Sequence, residues 1–446
     1  MKLPPAGASH DEREIEAVLN VMQNNPTLEI GESVATLETQ IAQLLSKNHG
    51  VMVNSGSSSL RLAVDLLRLQ PGDEIITSPM TFSTDIAPMV QSGIVPVFVD
   101  IEPNTYQIDV TQIVDMIGPN TKAILTPNLC GNCPDWDQIR AIADAHELKV
   151  IEDSCDVLNS WQRGERTGTR SDISVTSFAR SHAMTAAGTG GMVGVNSDED
   201  HDLCLSLRRW GRRSESYLYG SRKGETAHFG ELADGTPYDM IFVFDSIGYN
   251  FEPSELSAAY GVVQLEKLDE FNGQRHANWQ KLNDFMANRE GVTAGQTQAE
   301  TDTTWMRFCF TVDEDAPFTR ENVQQFLLDR GVATRMVWTG NILDNPDSPR
   351  SPTDNPMKAY PIVTELWTVP YHSRFIIAST QITSDSYVNN STKCGNITDK
   401  TKGGIWNNGI HSADYESLKW EAAPPPPTSA NSLPTQEPMF SNSNHQ

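Results

Sequence analysis

From about residue 45 to 195, short apolar runs alternate with segments whose apolar positions recur every three to four residues. HGVMVNSGSSSLRLAVDLLRL passes from a strand into a helix whose apolar face is Leu60, Ala63, Val64 and Leu67. GDEIITSPMTF, GIVPVFVDIE, KAILTPN and LKVIEDSC read as further strands, with helical stretches such as DWDQIRAIADAHEL between them. Apolar strands alternating with helices predict an α/β fold with a largely parallel sheet covered on both faces. A ligand of such a sheet sits outside the carboxyl ends of its strands.

The pattern changes along the chain. Residues 1–30 read as an N-terminal helical segment ahead of a large domain over 31–270. Residues 200–290 carry long helical segments, among them EPSELSAAYGVVQLEKLDEF. Residues 271–345 are expected to form a small α+β domain, with FCFTV as a strand and a helix capped by Thr319 that ends at Gly331. From 346 to 446 the sequence turns polar and aperiodic and ends in AAPPPPTSANSLPTQEPMFSNSNHQ, which predicts a largely disordered tail. Its glycosylation-type triplets at Asn390 and Asn396 are taken as chance matches.

Charge narrows the partners. The 446 residues hold 33 Lys and Arg against 58 Asp and Glu, a formal net charge of -25. Such a surface repels nucleic acid and anionic membranes, so neither is an expected partner, and an anionic ligand needs a local cradle. The segment MKLPPAGASHDEREIEAV lacks the apolar core of a signal peptide, and the expected location is the cytoplasm. Six dispersed cysteines do not suggest a disulfide framework, and no metal is expected. Cys130 and Cys133 form a lone CxxC, read as a turn after a strand rather than a zinc or redox site.

Several residues could carry chemistry. Gly56, Ser57 and Ser58 open a helix, where free amides and hydroxyls can cradle phosphate, although an ordinary N-cap with extra serines reads the same way. Asp153 ends an apolar strand and could either pair with a protonated ring nitrogen or cap a helix. Phe82 follows a strand and could stack on a flat ring or fill a core. His182, in SFARSHAMTAAGTGG, is by itself only a polar loop residue. Together, a phosphate cradle, a ring-facing aromatic and an acid at a strand end are what pyridoxal phosphate needs.

At this point the sequence resembles the DegT-type family of nucleotide-sugar aminotransferases and dehydratases over roughly residues 28–345. The matching pieces are VNSGSSSLRLAV, SPMTFST, GIVPVFVDIEPNTYQID, GNCPDWDQI, VIEDSCD, TSFARSH, TGGMV, SIGYNFEPSELSAAYGVVQLEKLDEF and GVATRMVWTGNIL. The resemblance implies a fold-type I pyridoxal-phosphate enzyme. Its large domain would hold a mostly parallel seven-stranded sheet between helices. It also implies that Gly56, Ser57, Ser58 and Ser177 hold the phosphate, Phe82 covers the ring, Asp153 pairs with its nitrogen, and Asp156 takes the place facing the ring hydroxyl. Asn250 would reach the phosphate of a neighbouring subunit, which implies a homodimer with shared sites.

Where aminotransferases of this family have lysine, this chain has His182. Imidazole cannot form the internal Schiff base, so the cofactor would be bound without a covalent link and its pyridoxamine form could persist. The same Lys-to-His change marks a branch of 3-dehydratases of 4-keto-6-deoxy nucleotide sugars, in which the histidine is the base. Asp156 and WGR at 210–212 also resemble that branch. Ser214 and Ser216 stand where its cluster-bearing members have Cys-x-Cys, so no iron–sulfur cluster is expected and glutamate is the implied amino donor. The cationic island of Arg208, Arg209, Arg212, Arg213, Arg222 and Lys223, with Arg335, offers partners for a nucleotide diphosphate or a carboxylate, or a solvated helix end.

Two departures stand beside this. Thr189 replaces a glutamate common in the family. The strand and helix that usually close the small domain are not legible in residues 346–446. Three readings therefore remain open: a sugar 3-dehydratase, an aminotransferase-like enzyme on another keto sugar, or a degenerate member without turnover.

Overall fold

Runs of Val, Ile and Leu bounded by turn residues give short strands buried on both faces. In the computed structural model, which describes residues 9–225, 229–344 and 375–379, these are β1 (His49–Val53), β2 (Glu74–Thr77), β3 (Val95–Phe98), β4 (Thr121–Pro127), β5 (Lys149–Asp153), β6 (Ile173–Ser177) and β7 (Gly191–Val195). They form one seven-stranded sheet in the order β1-β7-β6-β5-β4-β2-β3. β6, β5, β4, β2 and β3 run parallel, while β7 is antiparallel to both neighbours. The mostly parallel α/β sheet expected from the sequence is present.

Helices cover the sheet because each carries an apolar stripe. α1 (Glu12–Asn24) and α2 (Glu32–Leu44) precede β1; α3 (Gly56–Leu66), α4 (Ser83–Gln91) and α5 (Trp136–Ala145) follow β1, β2 and β4. One core cluster joins Leu60, Ala63 and Val64 of α3 to Val53, Ile151 and Val193 of the sheet. On the other face Ile76, Ile124 and Val150 pack with Trp136 and Ile139 of α5. After β7 come α6 (Asp198–Arg208), α7 (Glu255–Glu266) and the 19-residue α8 (Leu268–Met286). Glu14 of α1 is buried between Gln264 and Lys267, 2.7 and 2.6 Å away, which ties the N-terminal helix to the end of α7.

The smaller sheet contains β8 (Val292–Ala294), β9 (Arg307–Val312), β10 (Thr334–Arg335) and β11 (Phe375–Ser379), in the order β8-β9-β11-β10, with α9 (Arg320–Asp329) between β9 and β10. Here the sequence reading needs correction. A closing strand does lie beyond residue 345: β11 pairs antiparallel with β9, Cys309 opposite Ile377, and with β10. FIIAS is an apolar run of four residues closed by a serine, too short for periodicity to separate a strand from any other apolar stretch. The rest of the expected tail, Asn390 and Asn396 included, lies outside the described residues.

Candidate active site

The carboxyl ends of the parallel strands meet the start of α3. Ser55 caps that helix by accepting from the Ser58 amide at 3.1 Å. Gly56 follows because no side chain fits there: a Cβ would lie 2.5 Å from Ser177 Cβ at the end of β6. In the first turn, the Ser57 amide and hydroxyl have no hydrogen bond among the described residues, and Ser57 lines a cavity of about 430 Å³. Ser58 turns away from that cavity, its hydroxyl donating to Asn54 Oδ1 at 2.6 Å.

β5 delivers Asp153 to the cavity floor. The Cys155 amide donates to its Oδ1 at 2.9 Å. Burial pushes this carboxyl above its ordinary range, and although the Cys155 hydrogen bonds and His182 pull it down, Asp156 adds to the upward push. A cationic partner in the cavity would reverse that balance. Phe82, 47% exposed, lines the same space and leans on Trp338 with ring centroids 5.5 Å apart. It is therefore not a core residue.

His182 sits in the loop that leaves β6 at Ser177 and returns at Gly191. Ala183, Met184 and Ala186 of that loop are buried against Leu37, Met52 and Phe178, which anchors the histidine at the cavity. Its Nδ1 lies 3.4 Å from Asp156 Oδ1, within ion-pair range but long for a hydrogen bond. Both atoms are buried and have no hydrogen-bond partner among the described residues. The other Asp156 oxygen accepts from the Cys130 amide at 2.9 Å. Thr189 Oγ1 donates to the Asn54 carbonyl at 2.8 Å, so the residue in the glutamate's place still ties the loop to the end of β1.

The structure thus brings Gly56, Ser57, Phe82, Asp153, Asp156, Ser177 and His182 around one cavity. Other candidates lie elsewhere. Asn250 is exposed and bridges to Arg209, outside the cavity of its own chain. The cationic island is largely spent on internal acids. Buried Arg208 bonds Glu38 Oε1 at 2.8 Å, Arg209 faces Glu215 and Glu252, Arg213 grips Asp245 at 2.6 and 2.7 Å, and Arg222 pairs with Glu225. Arg212 instead stacks over Trp210 at 4.2 Å. Arg335 is exposed on β10 and donates to the Thr334 carbonyl. None of Arg212, Arg213 and Arg335 lines the cavity.

Cys130 and Cys133 are both buried, and burial pushes both thiols up. Among the described residues no group of three or more His, Cys, Asp or Glu is placed to hold a metal ion, and no helix is long and apolar enough to cross a membrane. Sequence reasoning missed Asp85, Trp338 and Arg307. Asp85 and Trp338 line the cavity, and Arg307 Nη2 donates to the Ser181 carbonyl at 3.1 Å. The only signal for Asp85 was its place three residues after Phe82.

Residues 8–374 match the model of the DegT/DnrJ/EryC1/StrS aminotransferase family, and the chain belongs to that family. It is 35% identical over 357 residues to a dTDP-4-dehydro-2,6-dideoxy-D-glucose 3-dehydratase of Saccharopolyspora spinosa, covering 77% of this chain and 76% of the relative. It is 31% identical over 239 residues to a GDP-perosamine synthase of Vibrio cholerae, covering 54% and 58% of the two chains. Among solved structures, a GDP-4-keto-6-deoxymannose-3-dehydratase with a trapped PLP-glutamate geminal diamine aligns with a TM-score of 0.72 and 26% identity, covering 84% of this chain and 95% of that one.

The cavity meets the demands of pyridoxal phosphate in its donor set. The first turn of α3 offers an unused amide and hydroxyl to a phosphate, and only glycine at position 56 lets that turn reach Ser177. At the cavity floor a buried carboxyl lacks a cation, and the exposed face of Phe82 lies alongside.

Proposed function

We propose that this chain is a cytoplasmic enzyme of deoxysugar biosynthesis that removes water at carbon 3 of a 4-keto-6-deoxy nucleotide sugar, with His182 as base. The observation that carries this reading is the His182–Asp156 contact, an imidazole beside a buried carboxylate inside the cavity that Asp153, Phe82 and the α3 terminus share. Lysine is absent from the loop position that would tie an aldehyde cofactor down. In its amine form the bound cofactor supplies an amino group to condense with the sugar ketone and a pyridinium ring to draw electrons from the adjacent C–H bond.

The chain's own residues do the rest. Ser57, Ser177 and the first turn of α3 hold the phosphate, and Phe82 covers the ring. Asp153 keeps the ring nitrogen protonated. Asp156 favours the imidazole tautomer with its proton on Nδ1, which leaves Nε2 free to accept a proton at the cofactor's exocyclic carbon. The same nitrogen can return that proton to the departing 3-hydroxyl, which leaves as water. Asn250, exposed on its own chain, would complete the phosphate site of a second copy in a homodimer.

Regeneration of the amine is assigned to glutamate. Among the described residues Cys155 is the one cysteine lining the cavity, with serines at 214 and 216, and one thiolate cannot hold an iron–sulfur cluster. The trapped glutamate in the solved 3-dehydratase supports the same donor.

The GDP-perosamine synthase relative keeps amino transfer as the competing reading. Purified protein with pyridoxal phosphate, glutamate and GDP- or dTDP-linked 4-keto-6-deoxyhexose decides between them by product mass. A keto sugar lighter than the substrate by one oxygen atom, with ammonia and 2-oxoglutarate released, supports dehydration, because glutamate supplies the two electrons that leave a CH2 at carbon 3. Replacement of the keto oxygen by an amine supports transfer, and an unchanged sugar overturns both.

A further inference from the structure

The floor of the cavity holds a second carboxyl that this mechanism does not use. Asp85, the third residue of α4, is 1% exposed and lines the cavity. Its Oδ2 accepts from the buried Thr81 hydroxyl. Its Oδ1 is buried, and no donor reaches it among the described residues. A carboxylate left in that state would forfeit the hydration of a full charge with nothing in return on one oxygen.

The groups around it sharpen the problem. Asp153, from the end of β5, and Cys155 and Asp156, from the turn that follows, line the same cavity as Asp85, and the two acids act on its carboxyl. The first turn of α4 and the Thr81 hydroxyl favour the anion. Burial, Asp153 and Asp156 oppose it and prevail, holding the Asp85 carboxyl well above the ordinary carboxylate range. Two carboxylates sharing one dry site cannot both ionise.

We propose that Asp85 is a neutral carboxylic acid whose Oδ1 donates a hydrogen bond to Asp153, so that the two carboxyls share one proton and present one negative charge to the cofactor's ring nitrogen. The arrangement satisfies every atom. The bare Oδ1 becomes a donor, Oδ2 keeps the carbonyl role that accepts from Thr81, and Asp153 gains a second fixed contact beside the Cys155 amide. Asp85 is then a positioning residue that acts through Asp153. Only the identity of the ligand rests on the pyridoxal-phosphate reading; the shared proton belongs to the protein alone.

The test is an infrared difference spectrum of the ligand-free full chain at neutral pH. Other buried acids such as Glu38 and Glu215, whose carboxyls are also pushed up, cancel when wild type is compared with Asp85→Asn. The expected result is a carboxylic-acid C=O band present in wild type and lost in Asp85→Asn. In Thr81→Val the same band should move to higher frequency, because its carbonyl loses a donor. This variant decides the matter if Asp85→Asn does not fold. No difference band, or no movement in Thr81→Val, overturns the proposal.

Pyridoxal phosphate titration adds a second readout. Asp85→Ala, which has no donor, should bind about tenfold more weakly, and Asp85→Asn, which keeps one, should recover most of the loss. Equal loss in both variants contradicts the donor role. Because the infrared band needs no cofactor, its absence overturns the shared proton alone. Failure of wild type to bind pyridoxal phosphate overturns the cofactor reading and leaves the band standing.

Discussion

His182 Nδ1 lies 3.4 Å from Asp156 Oδ1, and neither atom has another polar partner among the described residues. The carboxylate fixes which imidazole nitrogen faces the cavity. Asp156→Asn keeps the size, and its remaining oxygen can still accept the Cys130 amide. It removes the charge that stabilises the imidazolium. The expected outcome is a slowing of the glutamate half-reaction by about tenfold or more, short of the roughly 10²–10⁴-fold that a general base contributes. Stopped-flow absorbance measures it, and an unchanged rate would detach Asp156 from the base.

Gly56 and Ser177 are bound by space. Gly56→Ala sets a Cβ 2.5 Å from Ser177 Cβ, which should cost roughly 1–3 kcal/mol and weaken cofactor binding as α3 shifts. Ser177→Gly removes the opposing carbon, so the double variant should regain stability lost by Gly56→Ala. Urea unfolding of the four proteins in a double-mutant cycle reads this coupling, and simple additivity would refute it.

Phe82 is half exposed beside Trp338, so it contributes to a ligand more than to the core. Phe82→Ala should weaken pyridoxal phosphate binding roughly three- to tenfold, the scale of one aromatic contact. Thermal stability of the ligand-free protein should move little. A large stability loss would assign Phe82 to the core instead.

Asp135 caps α5 and is gripped by Arg163 at 2.7 and 2.8 Å. Burial raises this carboxyl, but the Arg163 and Gln138 hydrogen bonds outweigh it and bring the pKa down to about 2. A depressed folded-state pKa gives stability that is complete above the unfolded value near 4 and is lost as pH falls toward about 2. Asp135→Asn should therefore cost roughly 2 kcal/mol at neutral pH, and the gap from wild type should close across that acid window. A gap that stays constant along a pH series of denaturant titrations would rule this out.

The sequence revealed the sheet and most of the cavity for one physical reason. Strands buried on both faces must be apolar, and a helix that starts against the end of such a strand needs small residues, so Val51–Val53 followed by Gly56 and Ser57 marked one wall of the cavity, although Ser58, also a candidate there, turns away to Asn54. What stayed hidden depends on neighbours brought together only by the fold. Asp85 is an ordinary acid in the first turn of a helix until β4 places the ends of β2 and β5 on either side of it. Arg208 and Arg213 look like free cations until Glu38 and Asp245, distant in sequence, arrive beside them. β11 was missed because four apolar residues and a serine carry too little pattern to announce a strand.

The measurement that bears most directly on His182 is the absorbance of the protein with pyridoxal phosphate as glutamate is added, for wild type and His182→Ala in parallel. Wild type should convert the aldehyde form to the amine. The variant should bind the cofactor and convert it roughly 10²–10⁴-fold more slowly. Equal rates in the two proteins would contradict His182 as the proton carrier, and no conversion by wild type would mark the chain as a binding protein without turnover.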